Sequence, residues 1–266
     1  PADGKCIFAD YKKAGWVAVS YLNRQINDGV WTSKTYFNEM EKLLKEKDAN
    51  LTKNDLQSIY NNSFGSSRNK CYNDITASFA AALLEAQVDF ALRTGEYLYL
   101  ERWIIGYFVK APEVQTQLIN KYVEMIKKYP AVRKFHSMAS VTDAMANDHA
   151  AKIAYIDKYI RPILTQWPAK EWNHTGIPQA VLGPLHFCIA SNDTTPELKA
   201  QARQTLNVFA AGILRGQAAP GDWFTGEGIL PFFEREAKDF SETEMNRAAI
   251  ALAACMSRDG NTSRGK

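Results

Sequence analysis

The chain has 266 residues, of which 46% are hydrophobic, so it can bury a substantial core and fold without a partner. Its formal charge of +3 is small, and acidic and basic residues are interspersed, which disfavours a dedicated nucleic-acid-binding protein. No apolar run approaches the roughly 20 residues that cross a bilayer, so the sequence predicts no membrane-spanning segment.

The N-terminal part of the chain carries apolar residues at helical spacing. A stripe from Lys12 to Ile26 predicts a first helix, which Asp28-Gly29 should end. Ser33 is expected to cap a second helix. Thr52 and Asp55 have the spacing of a capping box, which predicts the start of a third helix.

The middle of the chain gives stronger helix signals. An alanine-rich stretch from Tyr72 to Arg93 predicts a helix buried on more than one side, and Thr94-Gly95 should end it. Pro112 lies where a first-turn proline begins a helix. A further helix is predicted from Thr142 to Trp167, with a bend or break at Pro162.

The C-terminal part adds more helices and two irregular segments. Ile177 to Ala190 has the character of a short buried helix disturbed by Gly183-Pro184, and Thr195-Pro196-Glu197 indicates the start of a helix to Arg215. Strand alternation is absent from the sequence, so we predict an all-α fold of antiparallel helix hairpins, either a helical array or an α/α-toroid-like ring. No composition shift marks a boundary, and residues 1–266 are predicted to form a single helical domain.

The start of the chain and its cysteines favour an exported protein. Pro1 stands where an initiator Met is expected, which indicates a mature chain in the periplasm or outside the cell. The four cysteines include no CxxC pair, so their spacing predicts no metal site. We expect two disulfides, and of the possible connectivities we favour Cys6 with Cys71 and Cys188 with Cys255.

The four histidines show no metal-binding spacing, and no cofactor is predicted. His149 and His186 lie in predicted helices and are expected to be packed or surface residues. His174 differs, because Asn173 and Thr175 flank it in a polar loop beside a helix start. Amide, hydroxyl and backbone N–H groups there suit a carboxylate-bearing substrate. The alternative is an ordinary helix cap with His174 in solvent.

Three short motifs in the C-terminal part are similar to those of the alginate lyases of the helical-toroid type. They are Arg161-Pro162, Trp172-Asn173-His174-Thr175, and Gly228-Ile229-Leu230-Pro231 leading to Arg235. The resemblance implies β-elimination on a uronic-acid polymer. It implies that Asn173 neutralises the uronate carboxylate, that His174 is the candidate base for the C5 proton, and that Arg235 binds carboxylate.

Aromatic side chains near these motifs are candidates for stacking on sugar rings, namely Trp167, Trp172 and Trp223. Thr243 or a neighbour stands where the lyase family has the tyrosine that transfers the proton. The chain therefore has binding motifs without that group, and a scaffold can be kept without its reaction. A non-enzymatic helical module that binds a protein partner, of the inhibitor or immunity type, is the alternative in a different class.

A second enzymatic alternative places carboxylates around the Trp223 loop. Glu227 with Asp222 or Glu234 has the composition of an acid and base pair for glycoside hydrolysis. Acidic residues beside glycine are also common in ordinary surface turns. The leading hypothesis is an exported polysaccharide lyase whose groove is lined by the Trp172–Thr175 and Asp222–Glu227 loops.

Overall fold

The computed structural model describes residues 11–46, 49–129, 131–162, 181, 183–214, 241–243 and 245–246. The chain divides into two compact units, Pro1–Tyr129 and Pro130–Lys266, which we call unit 1 and unit 2. Every regular element of the described residues is helical, which confirms the predicted all-α class. The single domain predicted over residues 1–266 and its ring-like arrangement stay predictions.

The described part of unit 1 consists of α-helices joined by short turns: α1 (Tyr11–Asn27), α2 (Ser33–Lys45), α3 (Lys53–Ser63), α4 (Ala77–Thr94), α5 (Glu101–Tyr107) and α6 (Pro112–Ile126). Single turns of 3-10 helix at Tyr72–Asp74 and Phe108–Lys110 lie before α4 and after α5. Helix α4 packs against α2, α3, α5 and α6, whereas α1 packs against α2 and α3.

Helix α4 provides much of the core of unit 1, because its alanines let neighbouring helices approach on several sides. Phe79 of α4 is fully buried and packs against Phe37 of α2, with ring centroids 4.7 Å apart. Phe64 stacks on the same ring at 6.1 Å. Burying a phenylalanine side chain contributes about 1.5–3 kcal/mol. Burial of this helix on more than one side is confirmed, although it begins at Ala77 rather than Tyr72.

Most helix ends of unit 1 follow local sequence signals. Thr52 and Asp55 form the predicted capping box, in which the Asp55 carboxylate accepts the Thr52 N–H at 2.8 Å. Gly95 ends α4 with a left-handed φ of 78°. The cap predicted at Ser33 is wrong, because Thr32 has the extended backbone of an N-cap and its hydroxyl accepts an N–H from the first turn of α2. Ser33 is instead the first helical residue.

The described part of unit 2 contains α7 (Ala131–Ala144), α8 (His149–Tyr155), a π-helical turn (Ile156–Ile160), α9 (Gly183–Ala190) and α10 (Pro196–Leu214). Helix α8 packs against α9 and α10, and α9 packs against α10. The predicted start of α10 is confirmed, since the Thr195 hydroxyl accepts the N–H of Leu198 at 3.3 Å. Helix α9 begins at Gly183, and residues 177–180 and 182 of the predicted Ile177–Ala190 helix lie outside the described residues.

The single helix predicted from Thr142 to Trp167 is wrong. Helix α7 ends at Ala144, and the following turn includes Ala146 in a left-handed conformation with a φ of 46°. The Asp148 carboxylate then caps α8 by accepting the N–H of Ala151 at 2.9 Å. A carboxylate that satisfies an otherwise unbonded N–H favours a new helix start over continuation.

The cysteines of the described residues are both buried and both free: Cys71 in unit 1 and Cys188 in unit 2. Their predicted partners, Cys6 and Cys255, lie outside the described residues. The structure therefore gives no support to the predicted pairing of Cys6 with Cys71 and of Cys188 with Cys255.

Candidate functional site

A surface cleft of about 520 Å³ opens in unit 1 where the turn after α1 meets the start of α2. We call it the α1–α2 cleft. Its apolar part is formed by Trp31, Phe37 and Ile26, and polar side chains come from the first turns of α2 and from the segment before α4. Small-molecule sites in proteins have volumes of roughly 300–1,000 Å³, so this cleft can hold a small ligand.

The turn between α1 and α2 shapes this cleft. Gly29 has a left-handed φ of 74°, which glycine adopts without the steric cost of a Cβ atom. The backbone N–H groups of Val30 and Trp31 both bond the carbonyl of Gln25, at 2.9 and 3.2 Å, and turn the chain back toward α2. The Trp31 ring is then buried and meets Tyr21 edge-on at 5.9 Å.

Two ammonium groups line the α1–α2 cleft. Lys70 Nζ donates to the backbone carbonyl of Asn27 at 2.5 Å, which holds this cation beside the turn. A Cβ atom at Gly29 would lie 3.4 Å from the same Nζ, an ordinary van der Waals contact, so the left-handed φ rather than a lack of space favours glycine here. Lys34 lies in the exposed first turn of α2, where backbone N–H groups add partial positive charge. Asp74 is the acidic residue of the lining.

A second surface feature lies at the start of α5. The side chains of Tyr99 and Trp103 are 45% and 54% exposed, and the guanidinium carbon of Arg102 lies 4.9 Å from the Trp103 ring centroid. We call Tyr99, Arg102 and Trp103 the α5 aromatic surface. Tyr99 has a left-handed φ of 55°, a conformation that costs a non-glycine residue of order 1 kcal/mol or more.

The Tyr99 ring is positioned from the interior of unit 1. It meets the Tyr97 ring edge-on at 4.3 Å, and Tyr97 in turn meets Tyr129 at 5.7 Å. The Tyr97 hydroxyl also hydrogen-bonds the hydroxyl of the fully buried Tyr122. These contacts hold the exposed ring in one direction.

A buried polar cluster lies beneath this surface. Gln87 donates to the Glu101 carboxylate at 2.7 Å and accepts the N–H of Leu100 at 3.1 Å. Burial, and after it the Glu101 carboxylate, raise the pKa of Tyr122 well above its ordinary value. Gln87, Glu101 and Tyr122 have no exposed surface. We therefore infer that this cluster joins α4 to α5 and does not contact a substrate.

In unit 2, Asp157 of the π-helical turn collects three polar contacts. Its carboxylate accepts from the Thr205 hydroxyl at 2.8 Å and from Gln201 at 3.1 Å, and it lies 3.5 Å from Arg161. The arginine of the Arg161-Pro162 motif thus pairs within its own unit, and Asp157 ties the π-helical turn to α10. π-Helical turns are frequent at functional sites, and this one directly precedes Arg161-Pro162.

The site residues predicted from sequence lie outside the described residues: Trp167, Trp172, Asn173, His174, Thr175, Asp222, Trp223, Glu227, Glu234 and Arg235. Their geometry, and the groove predicted between their two loops, stay predictions. Within the described ranges, no group of three or more His, Cys, Asp or Glu side chains is arranged to hold a metal ion.

Neither surface feature of unit 1 has a recognisable signal in the sequence. Asp28-Gly29 indicates only the end of a helix, while Lys70 reaches the cleft and bonds Asn27 across 43 residues of chain. The aromatic residues after Glu96 are visible in the sequence. Their spacing does not distinguish the half-buried Tyr97 from the exposed Tyr99 and Trp103.

Comparison with models of protein families, with curated proteins and with solved structures finds no match. Among the helices that the structure describes, none is long and apolar enough to span a membrane.

Proposed function

We propose that the protein is an exported, all-α, carbohydrate-binding protein and that its ligand is a polysaccharide carrying carboxylate groups. The observation that carries this proposal is the α5 aromatic surface, where the exposed Trp103 ring lies beside the Arg102 cation and the exposed Tyr99 ring comes from the segment just before α5. Sugar rings have C–H-rich faces that pack on flat aromatic side chains, and such rings contribute large contact areas. The Arg102 guanidinium is suited to a carboxylate, which it can bind through two parallel hydrogen bonds.

The backbone of Tyr99 supports the same proposal. A left-handed conformation at a bulky residue persists only where the surroundings hold it, and such residues cluster at binding sites. The contacts of Tyr97 fix the direction of the Tyr99 ring without covering it. A ring held in place before binding loses little conformational entropy when a ligand arrives.

Exposed aromatic and arginine side chains are also enriched at protein–protein interfaces, so a protein-binding module is the competing function. Affinity electrophoresis in gels containing alginate, polygalacturonate or dextran distinguishes the two. We expect the acidic polymers to retard the unchanged protein. Trp103→Ala should lower the affinity for these polymers by about 10-fold or more. Arg102→Gln should weaken the preference for acidic over neutral polymer.

The matched control is Phe187→Ala, which removes a 67% exposed aromatic ring from unit 2. This variant should bind as the unchanged protein does. Equal binding by Trp103→Ala and the unchanged protein, or no retardation in any polymer, would remove the carbohydrate proposal and favour a protein partner.

The reaction that we propose is β-elimination, supported by the Asn173-His174 motif and by Arg235 in the sequence. Ultraviolet absorbance reports the unsaturated sugar ends that only a lyase produces. We expect it with alginate or polygalacturonate, and expect His174→Ala and Asn173→Ala to abolish it. Reducing ends without this absorbance, lost in Glu227→Gln, would identify a glycosidase instead. Polymer binding with neither product would identify a non-enzymatic protein.

A further inference from the structure

We infer that the α1–α2 cleft is a binding site for a small hydroxylated anion, a molecule with one carboxylate or phosphate group and several hydroxyl groups. The cleft is not part of the α5 aromatic surface, and the proposed function does not assign it. The inference therefore does not depend on the polymer-binding proposal.

The cleft is shaped before any ligand binds. Its cavity of about 520 Å³ is bounded by the hydrogen-bonded turn around Gly29 and by the start of α2. Lys70 is held by one hydrogen bond to the Asn27 carbonyl. An ammonium group has three N–H donors, so two remain for a ligand.

Within the described ranges, the two cations of the cleft differ from most other lysines of unit 1 in having no acidic partner. In the part of the chain that the structure describes, neither Lys34 nor Lys70 forms an ion pair. Most lysines elsewhere in unit 1 pair with glutamates, namely Lys42, Lys45, Lys53, Lys121 and Lys127. Lys110 and Lys128 form no ion pair within the described residues, but they do not line the cleft. Two cations without a carboxylate partner beside one cavity favour a ligand that supplies the negative charge.

The remaining polar groups limit the charge of that ligand and predict its hydroxyl groups. Asp74 repels a second negative charge and accepts hydrogen bonds from hydroxyls. Asn38, Thr32 and Thr76 add amide and hydroxyl groups to the same lining. A monoanionic sugar derivative satisfies both kinds of group, whereas a neutral sugar leaves the two ammonium groups without a negatively charged partner.

The test is an NMR titration of the full chain with galacturonate, inorganic phosphate and glucose, followed at the Trp31 indole N–H and the Gly29 amide. Saturable shifts with galacturonate or with phosphate, and not with glucose, support the inference. Whichever of these two ligands binds with the higher affinity shows whether the cleft prefers carboxylate or phosphate. Equal binding of glucose, or no saturable shift with any of the three, overturns the inference.

Variants then assign the binding to these side chains. We expect Lys34→Gln and Lys70→Gln each to weaken anion binding about 10-fold, because each removes a charge-assisted hydrogen bond. Asp74→Asn should strengthen it. The control Lys127→Gln removes an exposed lysine that pairs with Glu124 outside the cleft, and should bind normally. If all four variants bind alike, the ligand is held elsewhere.

The two proposals fail independently. Loss of polymer binding in Trp103→Ala with unchanged galacturonate titration would show two separate sites. Because Lys34 and Lys70 are exposed, their variants should keep the circular dichroism spectrum and unfolding midpoint of the unchanged protein.

Discussion

Tyr99 combines an exposed ring with an unfavourable backbone conformation, and substitutions can separate the two. Its φ of 55° costs an L-residue about 1 kcal/mol more than glycine. Both Tyr99→Gly and Tyr99→Ala lose the ring contact with Tyr97, but only glycine removes the backbone cost. We therefore expect Tyr99→Gly to be the more stable of the two by about 1 kcal/mol in urea denaturation. Equal midpoints would show that the left-handed conformation is not retained in solution.

Cys71 offers a prediction that depends on pH. Burial raises the pKa of its thiol from an ordinary value of 9.0 to about 11, and the Asp74 carboxylate adds to the rise. The folded state favours the protonated thiol, so this contribution to stability is present below pH 9.0 and is lost as pH rises through about 11. At pH 8 the thiolate fraction is about 100-fold below that of an ordinary cysteine.

We therefore expect slow labelling of Cys71 by iodoacetamide in the native protein and rapid labelling after unfolding without reductant, with peptide mass spectrometry identifying the site. Rapid labelling of the native protein would contradict its burial. No labelling even in denaturant would mean that Cys71 is disulfide-bonded, as its predicted pairing with Cys6 requires.

Between elements, Gln87 connects α4 to the start of α5 through two buried hydrogen bonds. Gln87→Leu keeps most of the side-chain volume but removes both bonds. One is the bond that Gln87 accepts from the Leu100 N–H, and the other is the bond that it donates to the Glu101 carboxylate. We expect a loss of about 2–4 kcal/mol in the free energy of unfolding, because the buried Leu100 N–H would keep its desolvation cost and the buried Glu101 carboxylate would lose a hydrogen bond.

The matched control for this change is Gln57→Leu. Gln57 hydrogen-bonds Asn61 within α3 at an exposed position, so its replacement should cost less than about 0.5 kcal/mol. Similar losses for both variants in urea denaturation would show that the buried bonds make no special contribution.

The capping box of α3 gives a second prediction for a single element. Thr52→Ala removes the hydroxyl that accepts the Asp55 N–H, and should cost about 1 kcal/mol. Thr116→Ala makes the same change at an exposed position inside α6, where alanine favours the helix. Thermal unfolding should show a lower midpoint for the first variant and an equal or higher one for the second.

Helix boundaries show how much of the fold the sequence can predict. The caps at Thr52 and Thr195 and the stop at Gly95 were predictable, because each depends on a side chain or backbone preference within three residues. The turn through Ala146 was not, since alanine carries no signal for a left-handed conformation. The α1–α2 cleft could not be predicted either, because its lining joins the turn after α1 and the start of α2 to Lys70, Asp74 and Thr76, which lie far away in the sequence.

At the scale of the whole molecule, the described surface features and the predicted catalytic residues fall on different units of the chain. The α1–α2 cleft and the α5 aromatic surface belong to unit 1, whereas residues 167–235, which include Asn173, His174 and Arg235, belong to unit 2. If this division reflects function, binding and chemistry should be separable by truncation.

We expect a fragment of residues 1–129 to fold alone, because Phe37, Phe64 and Phe79 form a core from elements of unit 1. It should unfold cooperatively in urea and show the galacturonate titration and acidic-polymer retardation of the full chain, with no unsaturated product. The same fragment carrying Trp103→Ala should fold but lose the retardation. A fragment that fails to unfold cooperatively would show that residues 1–129 need the rest of the chain, which is what the predicted single domain over 1–266 requires.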